Sequence, residues 1–402
     1  MLNRMGERLA TVLVLSFILL APFIQPPWLL AVMVVLCAFV MYLIPRTRLL
    51  SVALVPIAIL FGLSILSLFV FSCTLAILVT GEVVFHGSSN RIRPYIAQIV
   101  SGLAACLLVS AYLGTWAPLV VIFGIVVAVL LKAILRRRED TLMIEALGVA
   151  MTMFLIDELN YSADLALIAF AVVIAFSFGY FSYRTGTADV SGLFSGALIG
   201  IILIVFGDIR WFIVMLAFFI LGSASTKYMW DYKLQLGIEQ PRGGARGYLN
   251  VFANGSVSAA SAVLWGVSGS PVFLALFLGS VATAAADTVA SEIGVTGGEP
   301  YLITTFEKVS PGTNGGVSLK GELVSLASAL AISLTAFALG IVDVPVALAG
   351  TFGGFIGTNI DSLVGALLEN PGYVGNAGTN FIATLGGGVA SVAIAVVLWS
   401  LA

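Results

Sequence analysis

Apolar runs of about twenty residues recur along this whole chain, and each is long enough to cross a bilayer as one helix. At about 1.5 Å rise per residue, such a run matches a hydrocarbon core of roughly 30 Å. Lipid offers exposed backbone groups no partner, so only helices or closed barrels can span it. Barrel strands would show as short segments of alternating polarity, and the sequence does not contain them. The expectation is an all-α, polytopic transmembrane helical bundle. A soluble globular fold is excluded for a chain that is 60% hydrophobic and 9% charged.

The runs read as about fifteen spans, among them 188–206, 247–267, 271–287, 321–340 and 345–368. With Arg4 and Arg8 in the cytoplasm, alternate loops collect Arg46 and Arg48, Arg91 and Arg93, Arg136 to Arg138, Arg184, Lys227 to Arg246, and Lys308 and Lys320. Of the 18 lysines and arginines, only Arg210 falls on the other side. This positive-inside pattern predicts a cytoplasmic N-terminus in a cell membrane. Arg8–Ile24 lacks a small-residue cleavage site and leads through Pro26 and Pro27 into another span, so it reads as an uncleaved first helix.

Cys37, Cys73 and Cys106 sit within apolar runs and read as small buried hydrophobes. A single histidine, His86, argues against a histidine-based metal site or a Ser-His-Asp triad. The net charge of −2 says little about partners, and nucleic acid is not expected among them. A charged linker, Leu135 to Thr141, and a later rise in glycine suggest two parts: an accessory transmembrane region, 1–158, and a catalytic one, 159–402.

Ionisable groups near lipid are costly and mark function by default. They concentrate between Thr283 and Glu322, in T-A-A-A-D-T-V-A-S-E-I-G and then F-E-K-V-S-P-G-T-N-G-G-V-S-L-K-G-E. Asp287 and Ser291 lie four apart, as do Thr288 and Glu292, forming neighbouring stripes on one helix end. Asp287 and Glu292 there can hold a hard cation such as Mg2+ through oxygen, or Asp287 can bond between helices. Pro311-Gly312-Thr313-Asn314-Gly315-Gly316 cannot be a helix interior, and its backbone N–H groups can form an anion nest. Ser318 is placed to cap the next helix, whose N-terminus favours phosphate. Lys308 and Lys320 supply point charges.

Other candidates surround this stretch. Q-P-R-G-G-A-R-G presents Arg242 and Arg246, which suit phosphate, in a loop that also holds Lys227. Asn254 stands inside an apolar span and needs a partner. G-G-F-I-G-T-N-I-D-S-L-V-G-A carries Asn359 and Asp361, on the same membrane side as Asp287. Asn376 and Asn380 follow, and Asp189 opens a span as a helix cap or as a further polar group.

A-D-T-V-A-S-E-I-G, V-S-P-G-T-N-G-G-V-S-L-K-G-E, A-N-G and D-S-L-V-G-A, in that set, resemble a family of integral membrane proteins that includes the plant phytyl-phosphate kinase. The likeness covers about residues 160–402 and extends distantly to dolichol kinase, phytol kinase and phosphatidate cytidylyltransferase. It implies phosphoryl transfer from a nucleoside triphosphate, CTP by preference, to an isoprenyl monophosphate lipid. It further implies Asp287 and Asp361 as metal carboxylates, with Lys308, Thr313, Gly315, Gly316 and Lys320 along the phosphates. Asn314, Ser291 and Ser318 extend that phosphate set, and Lys308 joins the two aspartates as a catalytic group. Two alternatives use the same residues: a CTP-dependent cytidylyltransferase, and an ion-coupled transporter with Asp287, Asn359 and Asp361 as its cation path.

Overall fold

The structure is a computed structural model and describes residues 3–44, 47–85, 92–135, 141–238 and 240–401. Arg46, His86, Arg91 and the linker residues 136–140 lie outside the described residues, as do the side chains of Arg4, Arg8 and Arg242. Two compact units divide the chain, Met1–Ile168 and Ala169–Ala402.

The first unit contains α1 (Asn3–Leu20), α2 (Pro27–Tyr42), α3 (Arg48–Gly62), α4 (Leu68–Phe85), α5 (Arg93–Leu113), α6 (Pro118–Leu135) and α7 (Thr141–Glu158). A helix that is apolar all round has no face for water and becomes a core element. Helix α4 shows this, buried continuously from Phe69 to Val79, with α3, α5, α6 and α7 packed around it.

The second unit begins within α8 (Leu165–Arg184) and continues with α9 (Val190–Ile202), α10 (Ile209–Lys227), the short α11 (Trp230–Leu236) and α12 (Tyr248–Ser268). It ends with α13 (Val272–Gly294), α14 (Leu319–Ala338), α15 (Val344–Val364) and α16 (Asn376–Leu401). Helix α13 is central and packs on α10, α12, α14, α15 and α16. Its small residues, Gly279 and Ala282 to Ala286, allow this crowding. Where α13, α15 and α16 cross, backbone meets backbone: a Cβ on Gly279 or on Gly353 would lie 2.7 Å from the Gly387 carbonyl oxygen.

Helix starts follow local chemistry. Asp189, Ser318 and Asp343 cap α9, α14 and α15 by accepting the N–H of Gly192, Gly321 and Val346 at 2.9, 3.1 and 2.9 Å. One boundary departs from expectation. Helix α13 does not stop at 287 but runs two turns further, so Asp287, Ser291 and Glu292 all stand on it. Between α13 and α14 lies a small antiparallel pair that the sequence reading missed: β1 (Tyr301–Leu302) faces β2 (Gly316–Val317).

The architecture is an all-α polytopic bundle. Ten helices among the described residues are long and apolar enough to cross a membrane, and Thr11–Phe23, α2 and α3 are shorter apolar helices. The more polar α7, with Glu145, Asp157 and Glu158, and α15, with Asn359 and Asp361, fall outside those ten.

Candidate functional site

Two clefts of the second unit share a wall at the end of α13 and the start of α16. The first, about 490 Å³, is lined by Asp287, Ser291 and Glu292 of α13, by Asp361 and Ser362 of α15, and by the whole Gly312 to Ser318 turn. The second, about 600 Å³, is lined by Asp189, Arg246, Asn250 and Asn380. Asp287, Ser291, Glu292, Gln240 and Asn376 face both.

Helices α13 and α15 bring Asp287 and Asp361 to one cleft, where their carboxyl groups interact electrostatically. Both residues are partly buried, and Asp361 Oδ1 has no protein partner. Like charges so close repel unless a proton or cation lies between them. Gly315 seats the glycine turn on this pair. Its φ is +81°, and a Cβ there would lie 2.7 Å from the Ser362 carbonyl oxygen, so only glycine permits the approach. Its own carbonyl accepts the Ile303 N–H at 2.9 Å, which ties the turn to the strand pair.

The structure redistributes the basic residues. Lys308 sits on the strand pair, exposed, 2.9 Å from Glu299, and does not line either cleft. That exposed ion pair raises the Lys308 pKa and lowers that of Glu299 through their hydrogen bond and charges. Lys320 donates to Thr296 Oγ1 at 2.6 Å, lies over the Tyr228 ring, and is likewise outside the clefts. Lys227 donates to the Gly243 carbonyl at 3.1 Å beside Trp230. Lys308, expected as a catalytic group, and Lys320, expected along the phosphates, thus both turn to partners outside the two clefts.

Among the described residues, the cations that do line the clefts are Lys233 and Arg246. Lys233, from α11, falls in the Lys227 to Arg246 loop and carries no motif. It is 1% exposed, donates to the Ser225 and Thr226 carbonyls at 3.2 and 2.9 Å, and pairs with Glu292 at 2.5 Å. The other Glu292 oxygen takes Thr226 Oγ1 at 3.4 Å. Glu292 thus has partners that compete with the metal role expected for it. Arg246 is placed by backbone pairing with the start of α9: Asp189 N–H reaches the Arg246 carbonyl at 3.1 Å, and Arg246 N–H reaches Thr187 at 3.0 Å.

The remaining candidates fall into place around these. Thr313, Asn314, Gly315, Gly316 and Ser318 line the first cleft. Asn359 stands just outside it and donates to Glu322 Oε2 at 3.2 Å, which does line it. Asp189 caps α9 and accepts from Ser191 Oγ at 2.6 Å while facing the second cleft. Asn254 donates to the Asn250 carbonyl at 2.9 Å. Glu369 joins the first cleft from the turn after α15, a position the motifs did not mark.

The donor set suits a hard divalent cation at Asp287 and Asp361. Among the described residues no three His, Cys, Asp or Glu side chains cluster tightly enough to hold a metal unaided. Magnesium commonly uses one or two carboxylates and completes its shell with water and substrate phosphates. The orphaned Asp361 oxygen is the observation that favours such an occupant.

Residues 173–397 match the profile of a family described as integral membrane protein DUF92. The chain belongs to that family. Within this family setting, it is 36% identical to an uncharacterized membrane protein of Methanocaldococcus jannaschii over 207 residues, covering 51% of this chain and 85% of that one. It is 31% identical to Protein PGR of Arabidopsis thaliana over 230 residues, 51% of this chain and 80% of that protein. It is 32% identical to Protein VTE6, chloroplastic, of the same plant over 165 residues, 40% of this chain and half of that protein. No solved structure matches the chain.

Proposed function

We propose that this integral membrane protein is an isoprenyl-phosphate kinase. It transfers the terminal phosphoryl group of a nucleoside triphosphate, with CTP as the first choice, to an isoprenyl monophosphate, at the cytoplasmic face of a cell membrane. One observation carries the reading: the paired carboxylates Asp287 and Asp361 and the glycine turn Gly312 to Ser318 face one cleft. The motif resemblance to the family containing phytyl-phosphate kinase supplies the substrate class.

Phosphoryl transfer asks a protein for alignment and charge stabilisation more than for covalent chemistry. An acceptor phosphate oxygen bonds to the terminal phosphorus as the bond to the nucleoside diphosphate breaks. The acceptor is already anionic, so a strong base is not required. Asp287 and Asp361 would hold Mg2+, which would supply positive charge to offset that of the triphosphate. The Gly312 to Ser318 turn and the N-terminus of α14 would receive the triphosphate. Arg246, across Asp287 in the adjoining cleft, suits bidentate contact with the acceptor phosphate.

The test is transfer of label by the purified protein in lipid nanodiscs with Mg2+. Label from the gamma position should appear in a prenyl diphosphate. Label from the alpha position in lipid would make the enzyme a cytidylyltransferase, and transfer from neither would overturn the enzyme reading.

A further inference from the structure

A third, narrower cavity of about 80 Å³ descends between α8, α9, α10 and α12 from the Arg246 side of the second cleft. Phe178, Phe212, Met215 and Phe219 make its walls apolar. One wall is a glycine stripe on α9: Gly192, Gly196 and Gly200 lie four apart and share a face. Such stripes ordinarily let helices touch. Gly192 does this against the Arg246 carbonyl, and Gly200 does it against Ala175 and Phe212, at 3.0 and 3.1 Å from its would-be Cβ. Gly196 does not, since nothing lies within 4 Å of where its Cβ would be. Its missing side chain leaves room that no helix fills.

The cavity also has polar groups. Asn254 and Ser182 each have 3% exposure and line it, yet Asn254 Oδ1 and Ser182 Oγ have no protein partner. Leaving a buried polar atom unpaired costs about 1–3 kcal/mol, so two beside an otherwise apolar cavity favour an occupant with a polar end as well as an apolar body. The Arg246 guanidinium lies 5.3 and 5.5 Å from the Phe218 and Phe219 ring centres. Gly222 makes that position possible, since a Cβ there would be 2.5 Å from Arg246 Nη2. Arg246 and Asn250 line both this cavity and the second cleft.

We propose that this cavity takes the head-proximal isoprene units of a single-chain prenyl monophosphate, with its phosphate on Arg246. The proposal rests on the kinase reading for its ligand and adds where the lipid lies. A narrow slot with one arginine at its mouth matches one apolar chain ending in one phosphate. It does not match the two chains of a phosphatidate.

The probe is farnesyl monophosphate carrying a diazirine on its first isoprene unit, applied without nucleotide to the full chain in nanodiscs. Crosslinks should map to α8, α9, α10 and α12, and excess dioleoyl phosphatidate should not compete. Affinity should fall in the order Gly196→Ala, Gly196→Leu, Gly196→Phe, reaching about tenfold or more, because a side chain there displaces buried methylene contacts. Gly196→Ala adds one atom in open space, so it serves as the folded variant of the series, checked by thermal melting. Leu264→Phe, on an exposed part of α12, should bind like the parent. Unchanged affinity in Gly196→Phe, labelling confined to α14 to α16, or effective competition by phosphatidate would each overturn the slot. Absence of phosphoryl transfer with labelling intact would instead remove the kinase reading and leave the slot standing.

Discussion

Lys233 Nζ stands 2.5 Å from Glu292 Oε2, and both side chains are almost completely shielded from solvent. The pair links α11 to the last turns of α13, directly under the first cleft. Removing one member of a buried ion pair leaves the other uncompensated, which costs about 3–5 kcal/mol. Lys233→Met should therefore lower the melting temperature markedly. The joint change Lys233→Met with Glu292→Met should recover much of the loss, and equal melting of single and double variants would refute the coupling.

Asp287→Asn and Asp361→Asn should each reduce turnover by about a hundredfold or more, since charge stabilisation at a metal site is worth several kcal/mol. Folding should persist, because each amide is close in shape to the acid. The double variant should lose little beyond either single one, as expected for groups acting as a unit. Full activity in both single variants, measured with saturating Mg2+, would end the carboxylate assignment.

Gly315→Ala should weaken nucleotide binding while leaving acceptor binding close to the parent's. It places a Cβ against the Ser362 carbonyl in a left-handed backbone conformation, which costs about 1–3 kcal/mol. Isothermal titration with a non-hydrolysable nucleoside triphosphate checks this, and wild-type affinity would contradict it.

Lys308→Ala should leave turnover within about threefold of the parent, since an exposed ion pair away from the cleft contributes little. The sign of its pH dependence follows from the shifts. The lowered Glu299 pKa means its share of local stability is present above the ordinary carboxylate value and is lost as pH falls through the lowered one. The raised Lys308 pKa means its share holds below the ordinary amine value and is lost as pH rises through the raised one. Amide protection in the β1–β2 segment, taken relative to the intrinsic exchange rate at each pH, should accordingly be greatest between those limits.

In the first unit, Lys132 bridges Glu82 and Glu145, at 2.9 Å from the latter, with Gln98 donating to Glu145 at 3.3 Å. Lys132→Met leaves the fully buried Glu145 without its cation and should cost about 3–5 kcal/mol. Glu82→Gln removes a more exposed partner and should cost clearly less. Equal melting temperatures for the two variants would argue against this ranking.

Much of this was legible in the chain. Apolar runs located the helices, since lipid leaves the backbone few alternatives. The Ser318 cap was readable because capping is local. The neighbourhood of Asp287 and Asp361 followed from counting helices between two motifs. Long basic side chains were not readable. The motifs marked Lys308 and Lys320 for the phosphates, while Lys233 stood out only as one more charge in a loop. Which of them turns toward the cleft depends on the fold of the 228–247 and 295–318 segments, which no periodicity encodes. The β1–β2 pair was missed because two residues per strand carry no alternation signal.

The bare-backbone junction of Gly279, Gly353 and Gly387 has no rotamers to yield. Three helices pinned there behave as one piece, and the acids mounted on two of them keep their spacing whatever occupies the cleft. Accommodation of a ligand then falls to the strand pair and the short helix carrying Lys233, which belong to none of the three. Ligand-dependent changes in hydrogen exchange belong in those segments, over an unmoving base.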